Sequence, residues 1–282
     1  MNCAWSSFVG ILPAWLRKEV NIKFADILLE LRLRVDHPPE LVTINGACWL
    51  KQTLTTEDLK YCINMASQYS PWSAWTSRHG YLTITGGHRM GICGQAVVKD
   101  GEMFGISIPS SLCIRVARDF EGLIFDRRYL KGSVLIIGKP GTGKTTLLRD
   151  LVRFRSEQNI GAIAVIDEKQ EIFPVEKGKH CFLTGKRTDI ISVCSKFQGI
   201  DCALRNMNPH TIAVDEITSE SDCAALCNAG HCGVELLATA HAGSREELYK
   251  REVYKNLVKQ QIFRHLILMQ DNKSWVAERM NQ

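Results

Sequence analysis

The stretch that decides the fold is Ser133-Val134-Leu135-Ile136-Ile137-Gly138-Lys139-Pro140-Gly141-Thr142-Gly143-Lys144-Thr145-Thr146. It begins as a short apolar run, passes through glycines, and leads into a helical pattern over Thr146–Arg155. Gly138 to Thr145 satisfies G-x-x-x-x-G-K-[ST] at every position. Each residue type has a physical reason. Glycines give the backbone conformations closed to other residues and let its N–H groups curl around phosphate oxygens. The helix that follows presents a partially positive N-terminus to the same anion. Lys144 is placed to reach the β- and γ-phosphates, and the Thr145 hydroxyl to ligate Mg²⁺. The expected ligands are therefore ATP and Mg²⁺, held by Gly138, Lys139, Pro140, Gly141, Thr142, Gly143, Lys144, Thr145 and Thr146.

Working outward, Ala162–Ile166, Thr211–Val214 and Glu235–Thr239 are short buried-strand patterns separated by helical stretches. Short apolar strands alternating with helices predict a parallel sheet covered on both faces. Thr211-Ile212-Ala213-Val214 ends in Asp215-Glu216. The expectation is that this strand lies beside the P-loop strand, that Asp215 enters the magnesium shell, and that Glu216 is the general base. Ala164-Val165-Ile166-Asp167-Glu168 repeats the design, with Glu171 following, and supplies a secondary acidic set near the γ-phosphate. His241, after the strand Glu235–Ala238, falls on the ligand side of such a sheet. Arg187 and Arg205 are arginines whose position alone does not separate a phosphoryl-neutralising role from a surface one. The basic stretch Arg245–Lys259 is most simply a solvated helix face.

The chain before about Glu121 has a different texture. Leu12–Leu31 carries apolar residues at helical spacing, and Leu41–Leu50 suggests a strand or hairpin around Asn45-Gly46. Thr55 and Asp58 are spaced as a capping box, and Tyr81–Thr85 alternates as a strand before Gly86-Gly87 turns it toward Met90–Val98. The expected organisation is a smaller α+β N-terminal domain over 1–122 and a P-loop ATPase domain over 123–282.

Bulk properties bound the remaining choices. Across 282 residues, 45% hydrophobic and 23% charged residues describe a globular chain. The net charge of +5 is too small to argue for nucleic-acid binding. No apolar run approaches the roughly 20 residues that span a bilayer, and Phe8–Leu16 lacks the flanks of a signal peptide. A cytoplasmic location is expected. The eleven cysteines are irregularly spaced, which disfavours a disulfide framework. Cys223, Cys227 and His231 share a helix face, but small buried thiols explain that spacing and no metal site is expected there.

Several segments together are far more specific than the P-loop. They are Leu31-Arg32-Leu33-Arg34-Val35, Gly86-Gly87-His88-Arg89-Met90-Gly91, and Ser110-Ser111-Leu112-Cys113-Ile114-Arg115-Val116-Ala117-Arg118. With Gly141–Asp150 they resemble the stage III sporulation AA family of endospore-forming bacteria, itself similar to the ATPases of type II and type IV secretion systems. The resemblance covers nearly the whole chain and implies a RecA-like ATPase domain. It matches Asp167-Glu168 and Glu171 to an acidic box, Leu204-Arg205 to an arginine ahead of the acid strand, and Thr239-Ala240-His241 to a histidine box. It makes Glu168, His241 and Arg205 candidate catalytic residues beside Glu216 and Lys144, and Arg115 and Arg118 candidate phosphate contacts. One departure is Asp215-Glu216, where secretion ATPases usually have Gly-Glu. The resemblance further implies a homo-oligomeric, hexameric ring that hydrolyses ATP at the mother-cell face of a mother cell–forespore channel, peripheral to the membrane through the channel proteins. An ATP-driven nucleic-acid translocase and a nucleotide-gated scaffold with little turnover are the alternatives; no nucleic-acid partner is expected.

Overall fold

The computed structural model describes residues 3–67, 80–99, 101–124, 126–158, 160–176 and 179–280. The chain forms two compact units, one of Met1–Asp119 with Pro174–Phe182, the other of Phe120–Phe173 with Leu183–Gln282.

In the first unit, strands β1 (Leu28–Arg34), β2 (Glu40–Thr43), β3 (Gly46–Trp49), β4 (Tyr81–Ile84), β5 (His88–Lys99) and β6 (Glu102–Arg115) form one sheet. Their order is β3-β2-β1-β6-β5-β4, with every pair antiparallel. The turn at Asn45-Gly46 closes β2 on β3, pairing Thr43 with Gly46. Thr55 and Asp58 exchange hydrogen bonds at the start of the helix Thr56–Ser67, so the capping box forms. The run Leu12–Leu31 is a correction: only Ala14–Glu19 is α-helical, followed by a single 3-10 turn at Ile22–Phe24. Leu12, Leu16 and Val20 keep helical spacing and are fully buried, but the chain enters β1 at Leu28 and from Leu31 the burial alternates. The periodicity thus changes within what was one apolar stretch. Burial of Phe8, Leu31, Leu33, Leu59, Met90 and Ile114 builds this unit's core.

His88 shows what the Gly-His-Arg segment does. Its ring is fully buried, Nδ1 accepts from the Ala117 amide at 3.0 Å, and Nε2–H donates to the Ala4 carbonyl at 3.0 Å. Burial holds its pKa below the ordinary histidine value, so the neutral ring pins two distant segments.

The second unit is built on β7 (Val134–Ile137) and β8 (Ile163–Asp167). Between β8 and the rest of this sheet, Val175–Glu176 (β9) and Lys179–His180 (β10) form a separate hairpin that belongs to the first unit. The sheet continues with β11 (Thr188–Ser192), β12 (Thr211–Ile217), β13 (Glu235–Ala240), β14 (His265–Met269) and β15 (Trp275–Arg279). The order is β11-β8-β12-β13-β7-β14-β15, parallel except for the last pair. Val134–Ile137 and Ile163–Asp167 are buried along their whole length, as strands covered on both faces must be.

This order corrects one expectation. The acid strand β12 does not lie beside the P-loop strand β7; β13 runs between them. A strand's sequence shows that it is buried but not which neighbour it takes.

Candidate nucleotide site

The site lies where β7, β12 and β13 end at their carboxyl termini. Gly138 leaves β7 into the loop, and a Cβ there would come within 2.7 Å of the Thr142 hydroxyl and 2.8 Å of Met269. Gly143 caps the helix Lys144–Glu157 with φ of 98° and ψ of 19°, the left-handed region that a side chain disfavours. Among the described residues, the amides of Gly141 and Gly143 have no hydrogen-bond partner. A glycine loop with free amides at a helix N-terminus is the donor set an oxyanion requires.

Lys144 folds back over this loop. Its ammonium, 6% exposed for the residue as a whole, donates to the carbonyls of Gly138 and Lys139, each at 2.9 Å. Burial lowers its pKa, against the opposing pull of Asp215 and Glu216. The ammonium also donates to His241 Nδ1 at 3.1 Å. Because Lys144 offers only donors, Nδ1 must accept, which leaves the imidazole proton on Nε2. That N–H donates to Glu216 Oε1 at 2.8 Å. Lys169 holds the other carboxylate oxygen of Glu216 at 2.8 Å. Burial would raise the pKa of Glu216, but the hydrogen bonds from Lys169 and His241 outweigh it and hold the carboxyl below the ordinary glutamate value.

Asp215 has a different shell. Thr145 Oγ1 donates to Asp215 Oδ2 at 2.6 Å, and Thr239 Oγ1 donates to Asp215 Oδ1 at 2.5 Å. Thr239 in turn accepts from the Glu216 amide at 2.7 Å. Adjacent residues on a regular strand point to opposite faces. Here the β12–β13 register shifts between Val214 and Ile217, and Glu216 has φ of 54°. That bulge re-aims Glu216, so that both carboxylates serve one site. A non-glycine residue in this region costs about 1–3 kcal/mol, a strain that clusters at functional positions. The Thr145 hydroxyl and the Asp215 carboxylate, already in contact, are the hard oxygen donors that suit Mg²⁺ beside phosphate. The donor chemistry fits that ion.

The secondary acids have bonding partners of their own. Asp167 is buried and accepts from the amides of Glu171, Ile172 and Phe173, fixing the turn after β8. Burial pushes its pKa up to about 6, against the lowering effect of those amides. Glu168 is held by Lys196 at 2.6 Å, an ammonium 4% exposed. Asp167, Glu168, Asp215 and Glu216 line one cavity of about 10 Å³, so the two acidic sets do meet. Arg205, by contrast, is 75% exposed and paired with Asp201 along its own helix, Lys196–Asn206. Arg115 and Arg118 lie in the first unit, Arg115 near Glu30 at 3.5 Å and Arg118 donating to the Leu28 carbonyl at 2.6 Å. Cys223 is buried and its thiol donates to the Val253 carbonyl, while His231 is exposed at the helix end. Among the described residues no cluster of His, Cys, Asp and Glu is arranged to hold a metal by itself, and no helix is long and apolar enough to cross a membrane.

Three participants escaped the sequence reading. Thr239 was visible only as the first residue of the histidine box, and Lys169 only as the residue after two acids. Lys196, which opens a helix, belongs to no motif.

Comparison with solved structures gives the same architecture. The ATPase DotB of Legionella pneumophila superposes with a TM-score of 0.63 over 95% of this chain and 80% of its own, at 16% identity. The pilus retraction motor PilT, solved with ADP, gives 0.61 over 87% of this chain and 75% of its own, at 15% identity. The fold is therefore that of the RecA-like secretion ATPases. In sequence, the chain is 34% identical to stage III sporulation protein AA of Bacillus subtilis over 83% of its length and 80% of that protein's. It is 27% identical to SEEDLING PLASTID DEVELOPMENT 1 of Arabidopsis thaliana, spanning 36% of that longer protein. The family model described as sporulation stage III, protein AA, matches residues 7–277. A match over that span, joined to a relative aligned across most of both chains, places this chain in the sporulation stage III protein AA family.

Proposed function

We propose that the chain hydrolyses Mg-ATP and that, as a ring-forming member of the secretion-ATPase type, it energises a membrane channel between mother cell and forespore. The observation that carries this reading is one connected set of side chains at three neighbouring strand ends. Lys144 bonds His241, His241 bonds Glu216, and Thr145 and Thr239 both bond Asp215.

Lys144 exchanges its loop carbonyls for phosphate oxygens, and the amides of Gly141 and Gly143 close on the same anion. Thr145 and Asp215 would hold Mg²⁺, which supplies neutralising charge at the phosphates when bound. Glu216 accepts the proton of the attacking water, and neutral His241 keeps that carboxylate oriented toward the loop. His241 also touches Lys144, so the residue that grips phosphate and the residue that accepts the proton share one hinge. Glu168, tied to Lys196, is the weaker candidate for the base. Arg205, exposed on its helix, is suited to act on a neighbouring subunit's site, and the phosphate-contact role of Arg115 and Arg118 rests on the family resemblance. Self-association, the channel partners and peripheral attachment to the membrane follow the family resemblance and stand with this proposal.

The test is Glu216→Gln in the full-length chain, followed by single-turnover hydrolysis and by ATP binding. Loss of a positioned base costs about 10²–10⁴-fold in rate and leaves binding intact. Normal turnover in this variant would move the base to Glu168.

A further inference from the structure

At the opposite end of the same sheet lies a second site of different character. The segment Arg127–Gly132 runs into the amino end of β7, Arg264 and His265 open β14, and Ala277–Arg279 close β15. Together they line an open cavity of about 550 Å³, within the range of small-molecule sites. β7 and β14 run parallel and β15 antiparallel to them, so the amino ends of β7 and β14 meet the carboxyl end of β15 at the edge far from the nucleotide loop, which leaves β7 at its carboxyl end.

The charge in this cleft is uncompensated. Arg127, Lys131, Arg264 and Arg279 all line it, and among the described residues none has an ion-pair partner. The exception among the lining cations is Arg128, held by Asp126. The carboxylate of Glu278 also lines the cleft but is engaged by Arg245 at 3.6 Å. Four cations gathered around one shared carboxylate leave a net positive charge, and a fold that keeps them together has a stabilising anion to gain.

The walls are fixed. Tyr129 is packed edge-on against His265 at 5.5 Å and Trp275 at 5.9 Å. Arg155, 2% exposed, donates to the Tyr129 carbonyl at 2.7 Å and the Gly132 carbonyl at 2.5 Å, and is itself paired with Glu235 at 2.9 Å. Glu235 also accepts from the Gly132 amide at 2.7 Å. A buried truss thus fixes the backbone at Tyr129 and Gly132, on either side of Lys131, while the cationic side chains themselves are exposed. Three of the four unpaired cations are arginines, whose planar forks match phosphate oxygens bidentately. A bounded volume of about 550 Å³ suits a compact ligand better than a polymer tracking along a stripe.

We propose that this cleft binds a compact organic anion bearing two or more phosphate groups, independently of the nucleotide loop. The chemistry is shared by a soluble phosphorylated metabolite and an anionic lipid headgroup, and the experiment separates them. Full-length native chain, Arg264→Glu/Arg279→Glu and Lys144→Ala are titrated calorimetrically with inorganic pyrophosphate. The same proteins are sedimented with vesicles of phosphatidylcholine containing phosphatidylglycerol and cardiolipin. The native chain should show two pyrophosphate binding events, of which Lys144→Ala keeps the one in this cleft and the double variant keeps only the one at the nucleotide loop, the cleft event being weakened at least tenfold; vesicle binding lost in the double variant would identify a lipid source. Arg264→Gln/Arg279→Gln, which introduces no new charge, should lose affinity likewise. Equal pyrophosphate and vesicle binding by native and doubly substituted chains overturns the proposal. Binding of a single-stranded oligonucleotide alone, lost in the double variant, overturns it in favour of a polymer.

Discussion

Individual residues divide into those whose sequence spacing fixes their chemistry and those placed by the fold. Lys144 and Thr145 belong to the first kind, because the loop that positions them is local and every residue in it has a backbone reason. Asp167 belongs to the second. It stands in an acid pair like Asp215-Glu216, yet its carboxylate is buried against the amides of Glu171, Ile172 and Phe173. Its folded pKa of about 6 lies above the ordinary aspartate value of 3.8. The stability this group contributes is therefore complete below about pH 4 and is lost as pH rises through about 6. At about 1.4 kcal/mol per pKa unit, the change is on the order of 3 kcal/mol. In denaturant unfolding, the native chain should lose stability relative to Asp167→Asn between pH 4 and 7, with no further relative change above that. Parallel pH profiles for the two proteins would show that Asp167 ionises normally in the folded chain.

At the level of elements, strand order and one bulge decide the site. Legibility stopped where long-range pairing began. The strands β7, β8, β12 and β13 were all readable as apolar runs, but placing β12 next to β7 was wrong because β13 intervenes. That intervening strand is what brings Thr239 to Asp215, so the same error hid the clamp that the Thr239 hydroxyl forms between Asp215 and the Glu216 amide. The bulge at Glu216 was unreadable for a related reason: its register shift exists only relative to β13. The helical reading of Leu12–Leu31 failed because leucines at helical and at alternating spacing follow one another without a break between them. Thr239→Val tests the clamp. The change keeps the volume but removes a hydroxyl that donates to Asp215 and accepts from the Glu216 amide in a fully buried position. Leaving that amide unsatisfied costs about 1–3 kcal/mol of stability. ATP turnover should fall at least tenfold as both carboxylates lose their orientation. A variant with native stability and native turnover would show that Thr239 fills space and nothing more.

For the whole molecule, sequence texture separated an α+β amino-terminal part from the strand–helix units that follow, and the family resemblance matched nearly the full chain. The excursion Pro174–Phe182, which leaves the second unit's sequence to join the first unit, carried no periodic signal. Its two short strands are too brief for one. As proposed, Lys144, Thr145, Asp215, Glu216 and His241 form a working Mg-ATP hydrolase. The most direct measurement is phosphate release from Mg-ATP by purified full-length chain across a range of protein concentrations, native beside Lys144→Ala. Native turnover per chain should rise as the protein self-associates, with at least a hundredfold loss in Lys144→Ala at every concentration. Equal rates for the two proteins, or no release by the native chain at any concentration, would contradict it.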